Sequence, residues 1–145
     1  MKGSPGPGSP HGIYYYDVDR KQWVLVRQKG ESLRLGEKGD GLYVVYFNNA
    51  KCAACRAFTP QWDATLEMVT KKLGRIHAFV VLCDWFQGEC SSEAAASSFR
   101  EFDVSSSPTV VVARVSNGSV EESTNLPGFM RADELFKIIK KYWKS

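Results

Sequence analysis

Two stretches of this chain are apolar almost without interruption. In Leu42 to Phe47 the residues Tyr43, Val44, Val45, Tyr46 and Phe47 all favour strands, and His77 to Asp84 (HAFVVLCD) is the second such run. A run without alternation fits a strand covered on both faces, as in a parallel or mixed sheet. Asn48, Asn49 and Ala50 read as the loop that follows the first run. From Cys55 onward the apolar residues fall at Phe58, Trp62, Leu66, Val69 and Leu73, which is helical spacing. The pattern therefore predicts strand, loop, helix, with Cys52 where the helix begins and Cys55 one turn further in.

The remaining elements follow from the same reading. Ile13 to Asp17 and Trp23 to Arg27 predict a hairpin. Lys29 to Gly41 is polar and glycine-rich, and only Ser32 to Leu35 suits a short helical turn. Ser92 to Glu101 is helix-prone, with Ser92 as the N-cap. Thr109 to Val115 is β-branched, and Asn117-Gly118 suits a type I′ turn that returns the chain through Ser119 to Ser123. Arg131 to Lys144 places Leu135, Ile138, Ile139 and Tyr142 on one face of a terminal helix. After the N-terminal hairpin the order is β, α, β, α, β, β, α, a mixed sheet with helices on both faces.

Composition narrows the classes. At 145 residues the chain makes one domain, 13–145, behind a tail, 1–12, whose Gly, Pro and Ser predict disorder. A net charge of +3 is small and scattered, which argues against nucleic acid. No apolar run approaches the roughly 18 residues of a membrane span. The first twelve residues do not read as a secretory signal, so a cytoplasmic location is expected. The four cysteines then point to redox or metal chemistry before structural disulfides.

The chemistry concentrates at Cys52-Ala53-Ala54-Cys55. Unpaired N–H groups and a partial positive charge at a helix N-terminus favour a thiolate over a thiol. The thiolate is the nucleophile, and Lys51 and Arg56 add positive charge nearby. Two residues between the cysteines allow a disulfide across the first turn. Cys55 shares the apolar face with Phe58 and Trp62 and should be the buried partner. A bare C-x-x-C also serves zinc sites; one on strand, loop and helix points more strongly to redox exchange.

These residues resemble the thioredoxin superfamily. The strand–C-x-x-C–helix order matches, as does Pro60 inside the helix, where a proline removes one backbone hydrogen bond. Ser107-Pro108 resembles the family's cis-proline segment, and Gly128, between the second hairpin and the last helix, falls where the family has a glycine. The resemblance covers about Leu42 to Trp143. It implies a three-layer α/β/α sandwich with a central mixed sheet, here carrying an extra N-terminal strand or hairpin. It also implies substrate contacts at Ser107, Pro108, Gly128 and Phe129, with Tyr46, Lys51, Ala53, Ala54 and Pro60 neighbouring the active site. Four positions depart from the family: Lys51 replaces a tryptophan, Ala53-Ala54 replaces Gly-Pro, and Tyr46 replaces the buried aspartate that takes the second thiol's proton.

The resemblance implies a thiol–disulfide oxidoreductase acting through Cys52 and Cys55. It would be a monomer without cofactor or metal, its partners disulfide- or dithiol-containing proteins and a redox partner reductase or oxidase. The alternative is a binding or adaptor module without turnover, holding a metal through its cysteines. Reversible titration of two thiols against dithiothreitol, with no zinc by elemental analysis, separates the two. Cys83 and Cys90, with six residues between them, read equally as a local disulfide or two free thiols; a zinc site using all four cysteines suits their spacing poorly. His77 reads as a strand-end residue, His11 as part of the tail, and Trp85 and Phe86 as core or cover more readily than as a substrate surface.

Overall fold

The computed structural model describes residues 3–143. An N-terminal hairpin, β1 (Gly12–Asp17) and β2 (Gln22–Arg27), is followed by β3 (Gly41–Asn49), α1 (Ala53–Lys72) and β4 (His77–Cys83). Then come α2 (Glu93–Glu101), β5 (Thr109–Ser116), β6 (Ser119–Pro127) and α3 (Ala132–Tyr142). The strands form one six-stranded sheet in the order β2-β1-β4-β3-β5-β6. Only β3 and β4 pair in parallel; the other neighbours are antiparallel. The expected hairpin thus sits at one end of the sheet, with β1 docked on β4.

Alternate residues of β3 feed two cores, because successive side chains of a strand point to opposite faces. Leu42, Val44 and Tyr46 pack with Phe58, Trp62 and Leu66 of α1 and Leu135 and Ile139 of α3. Tyr43, Val45 and Phe47 pack with Ala94, Ala95 and Phe99 of α2. The result is a three-layer α/β/α sandwich. Trp62 is fully buried, 5.3 Å from the Tyr46 ring and 6.5 Å from Trp23 of the hairpin, so it ties α1 to the central strand β3 and to the hairpin at one edge of the sheet.

Four sequence expectations need correction. Asn48 and Asn49 are not a loop but the buried last residues of β3, paired with Leu82 and Cys83. The returning strand β6 runs on to Pro127, since an edge strand with one exposed face needs no apolar alternation. The turn between β2 and β3 spans residues 35–38, not Ser32 to Leu35. There the Tyr43 hydroxyl accepts from Lys38 N–H and donates to the Gly39 carbonyl.

The fourth correction concerns the N-terminal segment. Met1 and Lys2 lie outside the described residues, but residues 3–11 are placed against the domain. Ser4 N–H donates to Asp63 at 3.2 Å, the buried Asn48 amide donates to the Pro5 carbonyl, and His11 pairs with Asp84 at 3.1 Å. Polar bonds hold this segment, so its low hydrophobicity did not announce it. Asn117 and Gly118 both take positive φ, as a type I′ turn requires, and Asp40 accepts from both of their N–H groups.

Trp62→Ala should cost about 3–5 kcal/mol, read as a lower urea midpoint with an unchanged slope. A loss under 1 kcal/mol would show that the hairpin and α1 are held together by something else.

Candidate functional site

Cys52 is the N-cap of α1 and Cys55 lies in its first turn. The Cys52 sulfur accepts the Cys55 backbone N–H at 3.1 Å, one of the N–H groups that a helix start leaves without an internal partner. Cys52 is 5% exposed and Cys55 1%, while Ala53 and Ala54 between them are exposed. Both cysteines are thiols in the structure. The helix start is fixed from behind by two backbone bonds, Ala50 N–H to the Cys83 carbonyl at 2.8 Å and Lys51 N–H to the Asp84 carbonyl at 3.0 Å.

The opposite wall is the loop before β5. The Ser107–Pro108 bond is cis. The Ser107 carbonyl lies 3.6 Å from the Cys52 sulfur, and the Ser107 hydroxyl donates to that sulfur at 3.4 Å. Gly128 N–H donates to the Pro108 carbonyl at 2.7 Å, which brings Gly128 to the same rim. Gly128 has φ +91°, a conformation that side chains rarely adopt. Phe129 is half-exposed beside it, its ring edge-on to Phe58 at 6.2 Å.

Several neighbours behave differently from expectation. The Lys51 ammonium pairs with Glu89 at 2.8 Å and the Arg56 guanidinium donates to the Ala50 carbonyl, so neither reaches a sulfur. Trp85 is exposed at 45%, whereas Phe86 covers Phe99 at 5.6 Å. Pro60 lies inside α1, where it has no N–H to give the preceding turn.

Tyr46 stands behind Cys55. Its hydroxyl donates to the Cys55 carbonyl at 3.2 Å and lies 2.9 Å from the Thr59 hydroxyl, which also donates to that carbonyl. The phenol therefore holds the helix backbone, not a sulfur. Burial keeps it protonated, well above the ordinary tyrosine range. Burial, and then the Cys52 sulfur beside it, push the Cys55 thiol up to about 12. Among the described residues no carboxylate hydrogen-bonds either sulfur: Asp84 pairs with His11, Glu89 with Lys51, and Asp63 accepts from Ser4.

Cys83 and Cys90 are disulfide-bonded, with Cα atoms 4.7 Å apart. The bond closes the loop that carries Asp84, Trp85, Phe86 and Glu89, and it removes both sulfurs from any four-cysteine zinc site. Among the described residues no group of three or more His, Cys, Asp or Glu could hold a metal ion. His77 bonds Tyr15 and the Asp40 carbonyl, far from the cysteines in the fold, at the opposite end of β4.

The sequence reading passed over Asn49, which is fully buried and bonded to both Phe86 and Ser107, and Thr59. The available signal was a polar pair, Asn48-Asn49, directly continuing an apolar strand; a buried amide needs partners.

No family model matches the chain, and no curated protein matches it. Solved structures do. It is similar to the thioredoxin from Aeropyrum pernix, with a TM-score of 0.62 at 11% identity over 94% of this chain and 98% of that one. It is also similar to a chloroplastic thioredoxin z, with a TM-score of 0.54 at 17% identity over 82% and 96%. The chain has the thioredoxin fold, extended by its N-terminal hairpin.

Replacing the second pair, Cys83→Ala with Cys90→Ala, should cost about 2.5 kcal/mol on the chain-entropy model. Denaturant midpoints under non-reducing conditions measure it; a midpoint equal to the parent's would mean that the bond contributes nothing to the folded state.

Proposed function

We propose that the protein is a thiol–disulfide oxidoreductase acting on proteins through Cys52 and Cys55. The observation that carries this is the Cys52 sulfur at the N-cap of α1, bonded by the Cys55 N–H and facing the Ser107 backbone. The similarity to thioredoxins in fold supports it.

The Cys52 thiolate attacks one sulfur of a substrate disulfide. A Cys52–substrate disulfide forms, and the other substrate sulfur leaves as a thiolate and takes a proton. Cys55 then loses its proton and attacks the Cys52 sulfur. The Cys52–Cys55 bond forms and the second substrate sulfur leaves. Two electrons pass to the substrate, and a dithiol partner must return them; run backwards, the same steps oxidise a dithiol. Ser107, Pro108, Gly128 and Phe129 are assigned to the substrate's contact surface. An exposed apolar ring at Phe129 and the Ser107 backbone suit an extended peptide.

The protein is proposed to act as a monomer in the cytoplasm. No helix among the described residues is long and apolar enough to cross a membrane. A structural disulfide in that compartment is rare outside hyperthermophiles, so Cys83–Cys90 also bears on where the chain works. The adaptor reading is the weaker one, because a module without turnover has no need of a sulfur placed on a helix N-cap.

Two experiments test the proposal. In the reduced protein, iodoacetamide should modify Cys52 before Cys55, and Cys55→Ser should accumulate a mixed disulfide that Cys52→Ser does not form. Faster modification at Cys55, or no exchange with any protein disulfide, would overturn it.

The second experiment reads the resolving step. With the Cys55 thiol at about 12 and no carboxylate on it, its ionised fraction grows about tenfold per pH unit through the neutral and mildly alkaline range. The single-turnover release rate should climb in parallel. Tyr46→Asp should accelerate release at neutral pH if the fold accepts it, and Asp84→Asn should leave it unchanged. A rate already flat above pH 7 would reveal a general base acting on Cys55 and overturn the base-free resolving step.

A further inference from the structure

Asn49 has no exposed surface, and each end of its carboxamide has one partner. Phe86 N–H donates to Oδ1 at 2.8 Å, and Nδ2 donates to the Ser107 hydroxyl oxygen at 3.1 Å. That hydroxyl lies 3.4 Å from the Cys52 sulfur. The direction of this chain of bonds follows from valence alone. A backbone N–H can only donate, so the amide oxygen must face Phe86 and the amide nitrogen must face Ser107. With a donor already on its oxygen, the Ser107 hydroxyl has its single proton left for an acceptor, and it donates to the Cys52 sulfur at 3.4 Å.

We propose that Asn49 is a positioning residue for the exchange reaction: oriented by the Phe86 amide, it holds the Ser107 hydroxyl as a hydrogen-bond donor to the Cys52 sulfur. The inference rests on the role given to Cys52 above. A thiolate is a stronger acceptor than a thiol, and hydrogen bonds to charged groups are the stronger kind. In the thiol state the S–H can turn to the Ser107 carbonyl at 3.6 Å; in the thiolate state the Ser107 hydroxyl and the Cys55 N–H are the two donors on sulfur. The relay therefore favours the form that attacks. It also begins outside the C-x-x-C motif, since Phe86 lies in the loop closed by Cys83–Cys90.

The test follows Cys52 alkylation by iodoacetamide against pH, with the site identified by peptide mass spectrometry. Asn49→Ala and Ser107→Ala should each slow alkylation at mildly acidic pH by about tenfold and move the midpoint of the rate profile upward by about one unit. The double variant should be no slower than either single one, because both act through the same proton. Ser107→Thr, which keeps the hydroxyl, should retain the parent profile. Multiplying effects, or an Asn49→Ala profile that overlays the parent's, would overturn the relay. If Asn49→Ala does not fold, Ser107→Ala decides alone: that loop residue is not buried, and an unchanged profile there overturns it equally. Alkylation needs no protein substrate, so a parent chain that alkylates as described but exchanges no disulfides refutes the proposed function and leaves the relay intact.

Discussion

The parallel pairing of β3 with β4 is the constraint on which the rest of the site depends. Its register sets Asn49 opposite Cys83, and the ladder does not stop where the strands end. It continues as Ala50 N–H to the Cys83 carbonyl and Lys51 N–H to the Asp84 carbonyl. Those bonds fix the three residues before Cys52, and α1 can start only where they release the chain. A one-residue slip of β3 would turn Tyr46 from α1 toward α2 and move Asn49 off both its partners. The burial of β4 between β1 and β3 protects that register from both sides.

The chemistry of the two sulfurs diverges because they face different surroundings a single turn apart. Cys52 meets donors: the Cys55 N–H and the Ser107 hydroxyl. Cys55 is the more deeply buried, its own carbonyl taken by Tyr46 and Thr59, and the Asn49 and Ser107 groups that favour its ionised form are outweighed. Burial and then the Cys52 sulfur keep it neutral, and no nearby carboxylate offsets them. The difference matches the proposed roles, with Cys52 to attack and Cys55 to resolve.

How much of this was legible in the sequence depended on which force fixed each part. The continuous apolar runs of β3 and β4, the helical spacing from Phe58 to Val69, the Ser92 N-cap and the Asn117-Gly118 turn are all local signals, and each element appears within a few residues of its expected place. The C-x-x-C cysteines and Ser107-Pro108 were legible through family resemblance, and the structure brings them together. What escaped was polar and long-range. Asn49 reads as a loop residue until Phe86 and Ser107 arrive from 37 and 58 positions away. Lys51 reads as a charge beside a sulfur until Glu89 takes it. The segment before β1 reads as a tail because its partners Asn48, Asp63 and Asp84 lie far along the chain. Spacing reports burial well; it does not report which distant group satisfies a hydrogen bond.

The added hairpin has a consequence for biosynthesis. A ribosome makes β1 and β2 well before β4, yet β1 docks on β4, with Tyr15 opposite Phe79 about sixty residues later. At roughly 5–20 residues per second that interval lasts on the order of several seconds. A lone two-stranded hairpin is marginal in water, and Trp23 against Tyr16 is the main contact it can make by itself. An early element of the domain is therefore among the last to find its place, and it waits with the apolar face that Trp62 will later cover still open to solvent.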